Sequence, residues 1–112
     1  MVEKQSLLAV RVKVTAEAVV VDLDDGRTVT APLAWYPRLL YGTARERRRW
    51  RLIGGGEGIH WTDLDEDLSV EGLLAGRRSA ESQTSLKRWL AARTRPRANR
   101  RMQPTARRAR RG

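Results

Sequence analysis

The sequence predicts a small α+β domain in which short helices pack on an antiparallel β-meander, followed by a C-terminal helix and a disordered basic tail. Three observations lead to this prediction: an alternating apolar run, an Asp-Gly turn signal after a β-branched run, and short helical patterns with capping residues. We place the compact domain at residues 1–78, a linker with a short amphipathic helix at 79–93, and the tail at 94–112. This length has room for one core.

The first part of the chain has the pattern of three strands. Residues 8–14 alternate valines and leucine with small or basic residues, which predicts a strand with one face in water. The β-branched run 18–23 leads to Asp25-Gly26, a pair that tolerates the positive φ of a tight hairpin turn, so residues 28–31 are expected to form the return strand. Pro32 should end it, because proline has no N–H to donate.

Two helices are expected next. Residues 33–41 place apolar side chains at helical spacing, with Pro37 suited to a first turn. Thr43 and Glu46 have the spacing of a capping box, in which each side chain bonds the other's backbone N–H. This box predicts a helix from residue 44 to about Trp50, with the tryptophan as its inward anchor.

The stretch from 50 to 72 holds two of the four tryptophans, five of the nine glycines and the single histidine. We interpret residues 52–53 and 59–61 as extended pieces around a glycine-rich turn, in which the glycines let the backbone pass close beneath a tryptophan. The residues to which we assign a structural role are Trp35, Trp50, Gly54, Gly55, Gly56, Gly58, His60 and Trp61.

Residues 63–68 combine acids with two leucines four residues apart, which is typical of an acidic surface segment held down by two side chains. Ser69 is placed to cap a short helix over 70–75, and Gly76 to end it. After a polar linker, apolar residues at i, i+3 and i+4 predict one amphipathic helix. They are Leu86, Trp89 and Leu90.

The net charge of +10 belongs to the C-terminal part of the chain. Residues 1–78 contain twelve basic and twelve acidic residues, whereas residues 79–112 contain eleven basic residues and one acid. From residue 93 onward nine arginines, two prolines and no acid or aromatic residue predict a disordered basic arm. Absence of cysteine excludes disulfides and thiolate chemistry. No apolar run suits a signal peptide or a membrane span, so we expect a soluble, cytoplasmic protein without membrane contact.

The motifs predict no catalytic, cofactor or metal site. The glycine-rich run 54–58 lacks the Gly-Lys-Ser/Thr of a phosphate loop. Aspartates alternate from Asp63 as in a calcium loop, but Leu68 and Leu74 occupy the places of its glycine and its final acid. His60 has no second histidine and no cysteine to work with, which favours a structural role.

Two charged clusters are candidates for interaction. The first cluster is acidic and consists of Asp63, Asp65, Glu66 and Asp67. These residues would bind a basic protein surface, or would form only a solvated acidic face. The arginines would bind nucleic-acid phosphates: Arg45, Arg48 and Arg49 on one helical face, with Arg97, Arg100, Arg101, Arg107 and Arg108 in the tail. For the helix, the alternative is a solvated face balanced by the acids, and for the tail it is an unselected arginine bias. No aromatic residues are interleaved, so base stacking is not supported.

Three blocks resemble a small bacterial family, domain of unknown function 2442. They are P-L-A-W-Y-P-R-L-L at 32–40, W-R-L-I-G-G-G-E-G-I-H-W at 50–61, and D-L-D-E-D-L-S-V-E-G-L-L-A-G at 63–76. The resemblance covers about residues 10–76, and residues 82–93 are similar to an extension that many members carry. Thr62 departs from the family, in which proline commonly follows the tryptophan.

The resemblance implies a compact α+β domain without established catalytic residues. Family members often occur beside a second small uncharacterised domain, number 4160, in pairs proposed as toxin–antitoxin modules. Our leading hypothesis is therefore a non-enzymatic protein-interaction module, the antitoxin-like partner in a two-gene pair, with a small protein partner encoded by the adjacent gene. The alternative is a nucleic-acid-binding regulatory protein that uses the tail and the helix over 45–51. An enzyme built on His60 and the carboxylates is the third hypothesis.

Overall fold

The computed structural model describes residues 7–94, so the predicted disordered tail lies outside the described residues from position 95. The described chain divides into two compact units, one ending at Ala80 and the other beginning at Glu81. The first unit contains two three-stranded antiparallel sheets and short helices, and the second contains one helix. The predicted α+β class is confirmed.

The first sheet is the predicted meander, with strand order β1-β2-β3. Its strands are β1 (Ala9–Val14), β2 (Ala18–Leu23) and β3 (Thr28–Pro32). The Asp-Gly turn joins β2 to β3, and Gly26 takes the positive φ of 93° that the turn requires. The carboxylate of Asp25 accepts hydrogen bonds from the backbone N–H and the Nε of Arg27, and the backbone bond is the main reason that the pKa of Asp25 is lowered.

The predicted alternation in β1 is wrong at Val10. Ala9 and Val12 are both buried, whereas Val10 is 55% exposed. The register against β2 shifts between Ala9 and Arg11, which is the mark of a β-bulge. An extra residue at a bulge changes which face the following side chains occupy, and a pattern of period two carries no signal for it.

The single helix expected over residues 33–41 is also wrong. A 3-10 turn (Leu33–Trp35) is followed by a separate helix α1 (Pro37–Leu40), and Tyr36 between them has φ −128° and ψ 86°. Proline disfavours helical geometry in the residue before it, so Pro37 breaks the helix at Tyr36. The placement of Pro37 in a first turn is confirmed.

Helix α2 (Ala44–Arg48) begins with the predicted capping box. The Thr43 side chain accepts from the Glu46 N–H, and the Glu46 side chain accepts from the Thr43 N–H. The helix ends two residues earlier than expected, because Arg49 leaves helical geometry at φ −97° and ψ 71°. Trp50 is therefore not an inward anchor of this helix. It is the half-buried first residue of the next strand.

A second sheet, with order β4-β5-β6, was not predicted. Its strands are β4 (Trp50–Ile53), β5 (Gly58–Trp61) and β6 (Glu66–Ser69), and a 3-10 turn (Gly54–Gly56) joins the first two. The acidic segment thus enters a strand at Glu66. Acidic residues are depleted in strands, which hides β6 from propensity arguments.

The cross-strand rows of this sheet separate an apolar face from a polar face. Leu52, Ile59 and Leu68 lie opposite one another, as do Arg51, His60 and Asp67 in the next row. The buried side chains of the apolar face belong to the core that also receives β2, and the largest fully buried side chains are Trp61, Tyr36, Leu33, Leu39, Ile59, Leu64, Val19 and Val21.

The glycine turn makes a backbone contact different from the predicted one. A Cβ on Gly56 would lie 2.7 Å from the carbonyl oxygen of Ala9 and 3.1 Å from the Cβ of Leu8, so the turn packs against β1 and not beneath a tryptophan. Gly54, Gly55 and Gly56 have φ of 61°, 69° and 113°. These are conformations that side chains disfavour, which explains the glycine run.

Two helices complete the described chain. In α3 (Val70–Leu74) the Ser69 hydroxyl accepts from the Gly72 N–H, and Gly76 follows with φ 74°, so the predicted cap and stop are confirmed. Helix α4 (Gln83–Thr94) contains the predicted amphipathic residues but buries none of its side chains. Within residues 7–94, no helix is both long enough and apolar enough to cross a membrane.

Two alanine substitutions in the glycine turn should separate backbone strain from steric contact. A Cβ on Gly55 meets nothing within 4 Å, so Gly55→Ala should cost only the left-handed penalty of about 1 kcal/mol in unfolding free energy. Gly56→Ala should cost about 3 kcal/mol or more, because the clash with Ala9 adds to that penalty. Urea denaturation of both variants measures the difference. Equal losses would show that the contact with β1 is unimportant.

Candidate functional site

Asp63 and Asp65 lie on a tight turn between β5 and β6, and Glu66 and Asp67 are the first two residues of β6. The N–H of Asp65 donates to the carbonyl of Thr62 over 3.3 Å, and Asp65 takes the left-handed conformation with φ 50°. Leu64 between the acids is fully buried, and Leu68 is 8% exposed. The prediction that two leucines hold this segment is confirmed, and the carboxylates of the turn are thereby directed away from the core.

The structure places the predicted partner-binding acids Asp63, Asp65 and Asp67 against basic side chains of the same domain. Asp63 lies 3.4 Å from Arg49, and Asp65 lies 3.8 Å from Arg38. Asp67 forms a hydrogen bond with Nδ1 of His60. The acidic side chains are 28%, 88% and 66% exposed, in that order.

These pairs hold the carboxylates only weakly. Ion pairs at the surface contribute about 0–1 kcal/mol, because water screens them and long side chains lose freedom in forming them. The 3.8 Å separation between Asp65 and Arg38 is also long for a charge-assisted hydrogen bond. An external cation could therefore replace Arg38 at Asp65 with little loss of stability.

Glu66 has a different position from the other acids. It lies opposite Trp61 in the sheet register, and its charge acts on the buried ring of Tyr36. The Tyr36 hydroxyl donates to the carbonyl of Arg77 over 3.2 Å. Burial is the main cause that raises the pKa of Tyr36, and the negative charge of Glu66 adds to it.

The raised pKa of Tyr36 predicts a loss of stability in alkali. The fold favours the neutral phenol of Tyr36. The stabilisation that this group adds to the unfolding free energy is therefore complete below the unfolded pKa of about 10, and it is lost as pH rises through the higher folded pKa. The difference between ultraviolet titrations of the wild type and Tyr36→Phe should give a midpoint above about 10. The variant should also lose less unfolding free energy than the wild type above that pH. A midpoint below 10 would contradict the buried position of the ring.

His60 belongs to the polar face of the second sheet. It lies opposite Arg51 on one side and Asp67 on the other, and its side chain is 20% exposed. Since a carboxylate only accepts, Nδ1 carries the hydrogen in this pair. In the part of the chain that the structure describes, no group of three or more His, Asp or Glu side chains is placed to hold a metal ion.

The arginines predicted to contact nucleic acid do not form one surface in the described structure. Arg45 and Arg48 are exposed on α2, whereas Arg49 follows the helix and pairs with Asp63. The tail candidates, Arg97, Arg100, Arg101, Arg107 and Arg108, lie outside the described residues. The described part therefore offers two exposed helical arginines rather than a face of three.

Arg47, which the sequence analysis left out of the candidate sites, has a structural role. Its Nε donates to the carbonyl of Leu39 over 2.8 Å, and its Nη2 donates to the carbonyl of Leu40 over 2.7 Å. These two carbonyls lie at the end of α1, where the regular helical hydrogen-bond pattern stops. The Leu39 carbonyl also accepts from the N–H of Gly42 over 3.2 Å. Its own carbonyl accepts from Nε1 of Trp61 over 3.0 Å.

Substituting neighbouring arginines should separate these roles. Arg47→Ala removes two charge-assisted hydrogen bonds and should lower the unfolding free energy by about 2 kcal/mol. Arg48→Ala, on the exposed side of the same helix, should change it by less than about 0.5 kcal/mol. Thermal or urea unfolding provides the comparison. If both variants lose the same amount, Arg47 does not hold the end of α1.

A hollow of about 220 Å³ lies beside β6 and was not predicted from the sequence. All four residues of β6 line it, together with Tyr36 and residues 77–80. The latter segment is held by the Ser79 N–H, which donates to the Trp35 carbonyl over 3.0 Å, and by Arg78, whose guanidinium lies 4.9 Å from the centre of the Trp35 ring. Without β6 in the prediction, no sequence signal could have located this hollow.

The fold and the site together define a small α+β domain with two antiparallel sheets and an acidic turn beside a sheet edge. The chain belongs to the family described as protein of unknown function, DUF2442, whose model matches residues 9–79. The predicted resemblance is thereby confirmed. A search of curated proteins finds no match.

Two solved structures are similar to this chain. The first is a protein of unknown function from Rhodospirillum rubrum, with 28% sequence identity and a TM-score of 0.62, covering 70% of this chain and 98% of that one. The second is an uncharacterized protein from Chromobacterium violaceum, solved by NMR in solution. It has 22% identity and a TM-score of 0.57, and covers 78% of this chain and 76% of that one. The second likeness shows the fold alone.

Proposed function

We propose that this domain is a non-enzymatic protein-interaction module, the antitoxin-like member of a two-gene pair, whose acidic turn binds a basic surface on a small partner protein. One observation carries the proposal: the side chains of Asp65, on a turn that the buried Leu64 holds in place, and of Asp67, in β6 directly after that turn, are 88% and 66% exposed. A rigid display of charge reduces the ordering cost of binding, because the turn needs no rearrangement.

The weak internal ion pairs support the same proposal. Arg38 and His60 occupy positions beside the exposed carboxylates without burying them. A partner lysine or arginine can therefore approach the same oxygens. Complementary charge of this kind mainly sets the rate of encounter and the choice of partner, so affinity must also come from neighbouring contacts.

The alternative, nucleic-acid binding, stays a hypothesis that depends mainly on the tail arginines outside residues 7–94. The described part contributes the exposed Arg45 and Arg48. Two phosphate contacts give weak, salt-sensitive binding without sequence information. The interaction with a protein is the better supported of the two proposals.

Loss of the exposed acids should weaken the complex with the small protein encoded by the adjacent gene. The two proteins are co-expressed and purified, and their dissociation constant is measured by isothermal titration. The double variant Asp65→Asn with Asp67→Asn should bind about tenfold more weakly, because two charged contacts are lost. The matched control is Glu17→Gln with Glu71→Gln, which removes two exposed charges elsewhere and should bind as the wild type does.

Two results would contradict the proposal. One is that no complex forms between the two proteins, and the other is that both double variants lose affinity equally. An equal loss would mean that overall charge, and not the turn between β5 and β6, attracts the partner.

A further inference from the structure

Strand β6 is a free edge of the second sheet. Among residues 7–94 the strand order of this sheet is β4-β5-β6, so only one side of β6 is paired there. The N–H of Val70 donates to the carbonyl of Glu57 over 2.9 Å, which continues the register of β5 and β6 by one residue. In an antiparallel pair, alternate residues direct their backbone groups to the partner strand. Asp67 and Ser69 therefore direct theirs away from β5.

Three backbone groups on this edge have no partner among residues 7–94. They are the N–H and the carbonyl of Asp67 and the N–H of Ser69. The Ser69 carbonyl is excluded because Ser69 is the N-cap of α3, and the carbonyl of an N-cap residue accepts the first hydrogen bond of the helix. Unpaired strand edges of this kind are templates for another extended chain.

The hollow beside β6 lies against this edge. All four residues of β6 line it and none of β4 or β5 does, so it adjoins the side of β6 that faces away from β5. Its far side is residues 77–80, which the Tyr36 hydroxyl and the Trp35 carbonyl hold in place. The space of about 220 Å³ is thus present beside the unpaired backbone groups before any ligand arrives.

We propose that an extended segment of the partner protein adds to this edge as a further, antiparallel strand, with a basic residue opposite Asp67. This inference rests on the proposed function and specifies its mode of binding. The segment's backbone bonds the free groups of Asp67 and Ser69, and its basic side chain lies on the same face as the Asp67 carboxylate. The next residue of the segment then faces the side of Leu68, which favours an apolar residue.

Charge selects a basic partner over a second copy of this chain. Antiparallel pairing of two β6 strands around Asp67 would place the Asp67 carboxylates of the two copies opposite each other. Like charges directly opposite each other destabilise a strand pair, and opposite charges stabilise it. The acids on β6 therefore disfavour self-association at the edge and favour a cation there.

The inference can be tested on the full chain with a synthetic hexapeptide of alternating arginine and valine, blocked at both ends. The residue opposite Asp67 directs its N–H toward β6, and its neighbours direct theirs away. N-methylation of the arginines should therefore weaken binding by about tenfold or more, whereas N-methylation of the valines should leave it unchanged. Replacing the arginines by glutamates should abolish it.

Amide exchange measured by NMR reports the site directly. At saturating peptide, exchange of the Asp67 and Ser69 N–H groups should slow by about tenfold or more, because they become hydrogen-bonded. Equal weakening by both N-methylated peptides, or unchanged exchange at these two amides, would overturn the inference. Dimerisation of the chain without peptide would overturn it as well.

Two substitutions at one position separate backbone pairing from charge. Asp67→Asn removes the charge and keeps the N–H, whereas Asp67→Pro removes both and leaves the ladder with β5 intact, since this N–H points away from β5. Circular dichroism checks that both variants fold. The proline variant should bind the peptide about fivefold or more weakly than the asparagine variant, and Glu17→Gln should bind as the wild type does. Equal binding by the two Asp67 variants would refute edge pairing.

The natural partner distinguishes failure of the inference from failure of the proposed function. A complex with the adjacent-gene protein that is equally strong for Asp67→Pro and Asp67→Asn would leave the acidic turn as the binding site and exclude the edge. Peptide binding at the edge, without any complex between the two proteins, would support the edge and overturn the proposed function.

Discussion

The contact on which the domain depends is the approach of a bare backbone turn to the first sheet. The turn between β4 and β5 packs so closely on β1 that a Cβ on Gly56 would lie 2.7 Å from the carbonyl oxygen of Ala9. Only glycine allows both that spacing and a φ of 113°. The contact places the β4–β5 hairpin next to the meander, so the two sheets can share buried side chains.

The acidic turn and β6 are held rigidly because they follow directly from the packed β4–β5 hairpin. Trp61 at the end of β5 is fully buried, and its indole N–H donates to the backbone of Arg47. The acidic turn begins one residue later and is held again by Leu64. Its charged groups are therefore displayed by a fixed scaffold, and β6 beyond them carries the unpaired edge. The same carboxylates that would attract a basic partner also protect this edge from pairing with itself.

Sequence patterns located the elements whose signals are local. The Asp25-Gly26 turn, the Thr43–Glu46 capping box and the Ser69 cap each depend on a few adjacent residues, and all are present in the structure. The break at Tyr36 was also local, because Pro37 causes it, but the apolar spacing around it concealed the break.

The remaining features depend on contacts between distant residues. The bulge at Val10 exists only in the pairing of β1 with β2, and β6 is a strand because β5 lies beside it. Its acidic composition gives the opposite signal. The hollow and the free edge follow from β6, so no reading of single residues could locate them. The prediction of an acidic candidate site was possible because charge is visible in composition, whereas its pairing with Arg38, Arg49 and His60 required the fold.

Hydrogen–deuterium exchange of the full chain, with and without the protein encoded by the adjacent gene, tests the central claim most directly. The claim is that this domain acts by being bound along the acidic turn and the edge of β6. Protection confined to residues 63–69 and the facing segment 77–80 is the result that this account requires. Protection on α2 or on the first sheet, with residues 63–69 unchanged, would contradict it.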